Sequence, residues 1–263
     1  MRPLSAATPS EFKDVRFVLT DMDETLTYQG RLAASTYAAL ERLQSAGIRV
    51  IPVTAAPAGW CDQMARMWPV DGVIGENGGL FLQRTSNGHG VSRTYWHADE
   101  NLSETRAKLT AMAEIVTARF PQIHLADDQA FRLTSIAFAR PDNPELSEQV
   151  VQVLRAAGAN ATINNLWVLG WLGGYDKLAM TRKVLAATYQ VDIDTGRHTV
   201  LYTGDSTNDA PMFEFFKHTV GVSTVREYLS ELPVPPAWIT KGPGGEGFVE
   251  AANAVIAARA LRG

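Results

Sequence analysis

The stretch VRFVLTDMDET, residues 15–25, decides how the rest of the chain is read. VRFVLT is a short run of β-branched, aromatic and aliphatic residues, the pattern of a strand buried on both faces. It leads at once into two carboxylates two residues apart, Asp21 and Asp23, and then the hydroxyl of Thr25. In an open α/β sheet, ligands bind at the carboxyl edge of the strands, so acidic groups there mark a candidate site. Working outward, residues 35–46 carry apolar groups at helical spacing and Gly47 closes them; 48–54 read as a second buried strand; 58–68 read as a helix stopped by Pro69. Strand, helix, strand, helix predicts a parallel α/β sheet.

After the hairpin expected over 70–83, the turn-rich TSNGHG at 85–90 breaks the rhythm, and a domain boundary is placed at Arg84. Residues 91–97, 131–139 and 161–172 read as strands and 103–120 and 144–157 as helices, a small sheet carrying two helices. From Asp176 the first pattern resumes: helix 177–189, strand 198–203, helix 208–216, strands 219–222 and 238–240, and a closing helix from about 246. The expected organisation is a core domain at 1–84 and 173–263, interrupted by an inserted α+β domain at 85–172.

Composition narrows the classes. With 263 residues, 46% hydrophobic and a net charge of −4, the chain reads as an ordinary globular protein without the basic footprint of a nucleic-acid binder. It contains no apolar run of about 18 residues, and its start lacks the apolar core of a secretory signal, so no membrane association and a cytoplasmic address are expected. The single Cys61 makes no internal disulfide, and with no basic neighbour before Arg66 it reads as an inert buried thiol. The five histidines lack the spacing of a zinc site. GPGGEG at 242–247 fits a dinucleotide pattern but stands near the C-terminus with too little chain after it, and reads as a turn before the last helix.

A second acidic motif, GDSTND at 204–209, follows the apolar run TVLYT and brings Asp205 and Asp209 to the same edge as Asp21 and Asp23 if the strands are parallel. Four converging carboxylates demand a counter-ion, and a hard cation with oxygen ligands, Mg²⁺ by preference, answers that demand. Thr54 ends the second strand; its hydroxyl and the N–H groups from Ala55 onward can meet a phosphate at a helix N-terminus. Lys177, opening a helix after Gly173 and Gly174, can place a cation in the same cleft.

Taken in order, DMDET, Thr54, Lys177 and GDSTND resemble the four motifs of the haloacid dehalogenase-like (HAD) hydrolases, with GENGG at 75–79 and DAPMF at 209–213 similar to segments of subfamily IIB, which includes Cof-type, sucrose and mannosyl-3-phosphoglycerate phosphatases. The resemblance implies a Rossmann-like parallel-sheet core with an inserted α+β cap of type C2B. It implies a Mg²⁺-dependent phosphomonoester hydrolase acting on a small phosphorylated molecule, a sugar phosphate or glycosylated compound by the habit of the subfamily. Asp21 would be the nucleophile and Asp23 the acid and base. Asp21, the Asp23 carbonyl and Asp205 would hold Mg²⁺, with Asp209 orienting that shell or joining it. Thr54, Ala55, Lys177 and Asn208 would hold the phosphate, and the Thr25 hydroxyl would support the loop locally. The family's usual Gly after the second Asp is Glu24 here.

In the cap, Arg132, Asn164, Asn165, Trp167 and Trp171 are candidate substrate contacts, since guanidinium, amide and aromatic groups suit sugars. Two other readings compete: a phosphosugar mutase of the phosphomannomutase kind, and a non-catalytic phosphoacceptor domain. The sequence sets no oligomeric state.

Overall fold

A computed structural model describes residues 1–164 and 166–261; Asn165 lies outside the described residues. The core is a six-stranded, wholly parallel sheet in the spatial order Arg2–Pro3, Trp238–Ile239, His218–Gly221, Val200–Gly204, Phe17–Thr20, Arg49–Pro52. Every residue of Phe17–Thr20 and of Val200–Gly204 is buried, as expected for strands covered on both faces. Helices Ala34–Ser45, Ala58–Met67 and Gly244–Ala260 cover one face, packing Leu40, Leu43, Met64, Phe248 and Val255 against Val18 and Val50. Helices Lys177–Tyr189 and Ala210–Phe215 cover the other, with Met180, Val184, Met212 and Phe213 against Leu19, Ile51 and Tyr202. The α/β, Rossmann-like core with an added α+β element is therefore as the sequence led one to expect. The first strand, Arg2–Pro3, was not anticipated, because two residues carry no periodicity to read.

The insertion departs from the sequence reading in two ways. The strand over 91–97 does not join the small sheet: Val91–Tyr95 pairs antiparallel with Leu80–Arg84, which pairs with Val73–Gly75, so the boundary placed at Arg84 falls inside a continuous three-stranded sheet. The single strand over 161–172 is a hairpin of Asn160–Ile163 and Trp167–Trp171. The turn forms because Asn164 Oδ1 accepts the N–H groups of Leu166 and Trp167, a local bond that competes with extended structure. With Ser135–Ala139 these two strands make the small sheet, in the order Asn160–Ile163, Trp167–Trp171, Ser135–Ala139. Helices Leu102–Arg119 and Pro144–Ala156 cover it through Leu109, Val116, Val150 and Leu154.

Candidate active site

Parallel pairing of two neighbouring central strands builds the site. Thr20 and Thr203 are register partners, so Asp21 and the loop after Gly204 leave the sheet side by side. Behind them, Thr203 Oγ1 donates to Thr20 Oγ1 at 2.7 Å and Thr20 Oγ1 to the carbonyl of Asp21 at 2.8 Å, fixing the two strand ends against each other. Lys177 enters from the start of its helix, whose N-terminus is capped by Asp176. Its buried ammonium bridges Asp21 Oδ1 at 2.9 Å and Asp209 Oδ1 at 2.7 Å. Asp205 is buried beside them, and Asp21, Asp205 and Asp209 each offer an oxygen within 4.8 Å of the others.

The electrostatics follow from burial and like charge. Burial pushes the Asp21 carboxyl up; Lys177 opposes this, while Asp209 and Asp23 add to it. Asp205 is raised well above an ordinary aspartate by burial first, then by Asp21 and Asp209. Burial works to discharge Lys177, but Asp209 and Asp21 outweigh it and hold the ammonium charged. One fixed cation among three buried carboxylates leaves negative charge in excess, the setting that a hard divalent cation relieves.

The donor set fits such a cation, and of the two roles expected of Asp209 its hydrogen bonds favour the orienting one. Asp209 lies in the cluster, yet both its oxygens are taken. Oδ1 accepts from Lys177 Nζ and the Tyr202 hydroxyl, and Oδ2 from the backbone N–H groups of Asp205 and Ser206. Four donors fill its acceptor positions, so Asp209 orients Lys177 and the 205–206 loop rather than ligating. The fold-back needs Gly204, where a Cβ would stand 2.4 Å from Asp209 Oδ2. Thr25 differs from expectation: its hydroxyl reaches not its own loop but Asp205 Oδ1, at 3.1 Å and 180 residues along the chain.

Asp23 stands half-buried at the rim of a narrow cleft that it shares with Asp21, Ala55, Asn164, Leu166, Ser206 and Asn208. Burial, helped by Glu24 and opposed by Lys177, pushes its carboxyl up to about 6. Glu24 has φ +57, a left-handed conformation that glycine adopts without strain, and its Oε1 accepts the Gln29 N–H at 2.9 Å. Its side chain is thus tied to the turn of the short hairpin that follows, Thr27–Tyr28 with Arg31–Leu32. Thr54 is fully buried, and its Oγ1 accepts the Ala56 N–H at 3.0 Å, which leaves the hydroxyl proton to donate. Cys61 is buried with its thiol pushed up by burial, an inert setting as expected.

Residues 18–109 match the model of the haloacid dehalogenase-like hydrolases. Over those residues the chain is similar to that family. Among solved structures, a Thermoplasma acidophilum protein superposes with a TM-score of 0.72 at 19% identity, covering 92% of this chain and 99% of that one. A trehalose-6-phosphate phosphatase related protein gives 0.63 at 14%, covering 94% and 100%. A haloalkanoate-superfamily phosphatase of Bacteroides thetaiotaomicron gives 0.59 at 18%, covering 96% and 99%. These likenesses establish the fold along nearly the whole chain. No curated protein matches the sequence.

The expected cap contacts divide. Asn164 does line the cleft. Arg132 is buried and committed: its guanidinium pairs two-pronged with Asp128 at 3.0 and 2.9 Å and donates to the Ala55 carbonyl at 3.0 Å, so it props the cap against the loop after Thr54 rather than facing a substrate. Trp171 is buried in the seam, stacked on Tyr175 and donating its Nε1 to the Tyr175 carbonyl. Half-buried Trp167 packs into the same seam beside Ala55 and Leu169. Asn165 lies outside the described residues.

Sequence reading missed the main joint between core and cap. Glu76, 1% exposed, turns its carboxylate across the seam. Oε1 accepts the N–H groups of Ala58 and Leu133 at 3.0 and 2.8 Å; Oε2 accepts the Thr134 N–H and the hydroxyls of Thr134 and Ser135 at 2.8 to 2.9 Å. The neighbouring Gly79 lets the chains meet, since a Cβ there would stand 2.0 Å from Thr134 Oγ1. Glu76 holds φ +50 just before Asn77 and Gly78, a strain that a non-glycine residue keeps only where its surroundings fix it, and the sequence carries no sign of that angle.

Proposed function

We propose that this chain is a Mg²⁺-dependent phosphatase that hydrolyses a phosphomonoester, a sugar phosphate or glycosylated small-molecule phosphate, through an aspartyl-phosphate on Asp21. The observation that carries the reading is the pairing of roles at one strand end. Asp21 is buried and held by Lys177, while Asp23, two residues on, sits at the cleft with a carboxyl raised to about 6. Burial raises both carboxyls, Asp21 to about 7 and Asp23 to about 6, so the roles divide by position: Asp21 is held against Lys177 within the acidic cluster, and Asp23 stands two residues on at the cleft.

Asp21 attacks phosphorus, and Asp23 gives its proton to the leaving oxygen; water then attacks the aspartyl-phosphate, with Asp23 taking the proton back. Lys177, the Thr54 hydroxyl, the Ala55 N–H and Asn208 meet the phosphoryl oxygens where charge spreads in the transition state. Asp21, Asp205 and the Asp23 carbonyl would hold Mg²⁺, which when bound supplies charge neutralisation at the phosphoryl group. The cap, read as residues 85–172, closes over the site. Its turn through Asn164 and Leu166 leaves a cleft of only about 10 Å³, room for about one water, so the turn must withdraw for substrate to enter. A phosphoacceptor domain has no use for a leaving-group acid, and Asp23 speaks against that reading.

The test is phosphate release from sugar phosphates and p-nitrophenyl phosphate, with Mg²⁺ and with EDTA. Release that requires Mg²⁺ is expected; release undiminished by EDTA would exclude the metal role, and silence across the panel would exclude the phosphatase. The acid role adds a pH signature. Protonated Asp23 starts the cycle, so kcat/KM for a substrate with a poor leaving group falls as pH rises through the Asp23 titration. The Glu24 carboxylate helps hold that titration up, so Glu24→Gln moves the fall to lower pH. An unmoved or upward-shifted limb would contradict the assignment.

A further inference from the structure

Thr54, Ala55 and Ala56 form the loop that leads from the strand Arg49–Pro52 to the helix Ala58–Met67, and each of its three carbonyls is held. The Thr54 carbonyl accepts the Asn77 N–H at 2.9 Å, and the Ala56 carbonyl accepts the Glu76 N–H at 3.1 Å. The Ala55 carbonyl between them is held by a side chain instead, Arg132 Nη1 at 3.0 Å, 77 residues along the chain. In a trans peptide the C=O and N–H point in opposite directions. The Ala55–Ala56 peptide is therefore gripped at both ends, its carbonyl by Arg132 and its N–H by Thr54 Oγ1 at 3.0 Å. An oxygen that accepts the Ala56 N–H has its own proton left to give, and among the described residues no hydrogen bond takes that proton. Ala55, next in the chain, lines the narrow cleft beside Asp21.

Arg132 is placed so that its aim cannot drift. Its side chain is closed off from solvent. Nε and Nη2 fork onto the two oxygens of Asp128 at 3.0 and 2.9 Å, and because a guanidinium is planar this fork fixes the direction of Nη1. The backbone that carries it is fastened on both sides. The Arg132 N–H closes the turn Gln129–Phe131 on the Gln129 carbonyl at 3.1 Å, and the N–H groups of Leu133 and Thr134 end on Glu76. A buried ion pair is a weak source of stability, so the value of this one lies in the geometry that it imposes on Nη1.

On the reading that this chain is a phosphatase, we propose that Arg132 is a positioning residue: by holding the Ala55 carbonyl it sets the Ala55–Ala56 peptide so that the Ala56 N–H stays on Thr54 Oγ1 and the Thr54 hydroxyl is turned to donate to the phosphoryl group. The inserted element thereby completes a donor that belongs to the core, and does so without touching the substrate.

The test is a double-mutant cycle in kcat on p-nitrophenyl phosphate and glucose 6-phosphate with Mg²⁺ present, each variant checked by its melting curve. Arg132→Met is made together with Asp128→Asn, so that no buried carboxylate is stranded, and is compared with Asp128→Asn alone. Thr54→Val keeps the branched side chain and removes the hydroxyl. Loss of the guanidinium is expected to lower kcat about tenfold or more, by the same factor on every substrate that wild type turns over and with KM within about threefold, because Thr54 meets the phosphoryl group and not the leaving group. In the Thr54→Val background the same change is expected to cost less than about twofold, since the hydroxyl it orients is gone. Losses that multiply across the two backgrounds would show that Arg132 acts apart from Thr54. Losses that depend on the leaving group would show that it reads the substrate, and an unchanged kcat that it fastens the two parts together and no more. Each of these overturns the inference and leaves the phosphatase standing. If the paired variant does not melt cooperatively, Arg132→Lys carries the comparison: it keeps the charge opposite Asp128, but one ammonium cannot hold the two-pronged pair and the Ala55 carbonyl in one plane, and the same loss and the same dependence on Thr54 are expected. Failure of wild type on both substrates would overturn the phosphatase reading and the inference with it.

Discussion

Asp21→Asn removes Mg²⁺-dependent phosphate release, by more than about a thousandfold in kcat, while the protein stays folded. The amide keeps the volume of the carboxylate but cannot attack phosphorus, and it loses the charge that meets Lys177 at 2.9 Å. The same substitution carries a stability signature that a merely damaged site would not show. Burial and neighbouring carboxylates raise Asp21, Asp23 and Asp205 above ordinary aspartates, so the folded protein holds protons that the unfolded chain has released above about pH 4. Without metal, stability therefore falls as pH rises from about 4 through the raised titrations, and Mg²⁺ at neutral pH restores part of it by binding only the folded state. Asp21→Asn takes one carboxylate out of the cluster, so its metal-free melting temperature falls less over that span than that of wild type. Thermal melts across pH, with and without Mg²⁺, check this. Wild-type turnover in the variant would end the aspartyl-phosphate mechanism, and a metal-free stability that rises over the same pH span would contradict the electrostatic account.

Glu76→Ala is expected to cost about 3–5 kcal/mol, the range for removing one partner of a buried charged network. Five donors lose their acceptor at once, three of them backbone N–H groups that cannot turn elsewhere. In a protein of this size that lowers the melting temperature by about 10 °C. Glu76→Gln is almost as costly, because its amide nitrogen would face donors in one of the two oxygen positions. Proteolysis within the cap should quicken in both variants, since Leu133, Thr134 and Ser135 lose the acceptor that fastens them to the core. Melting curves within about 2 °C of wild type would show that the joint rests on apolar packing instead.

The parts legible in the sequence share one property, that their meaning is local. Asp21, Asp23, Asp205 and Asp209 follow apolar runs that announce buried strands, and Lys177 opens a helix after two glycines; parallel pairing then gathers them at one edge. The helices were readable from spacing within a few residues of their observed ends, whereas the 91–97 strand was assigned to the wrong sheet. Its sequence says that it is extended but not that its partner is Leu80–Arg84, because pairing depends on chain path rather than on the strand's own pattern.

By itself the sequence determined the α/β core, the inserted element and the set of charged groups that meet at the cleft. Only the tertiary structure decided what each group does there. Asp209 is filled by donors from Lys177, Tyr202 and the 205–206 loop, Thr25 serves Asp205 across 180 residues, and Glu76 and Arg132 join cap to core. A carboxylate's function is set by which donors occupy its lone pairs and how much water it keeps, and those neighbours come from segments far apart in the chain.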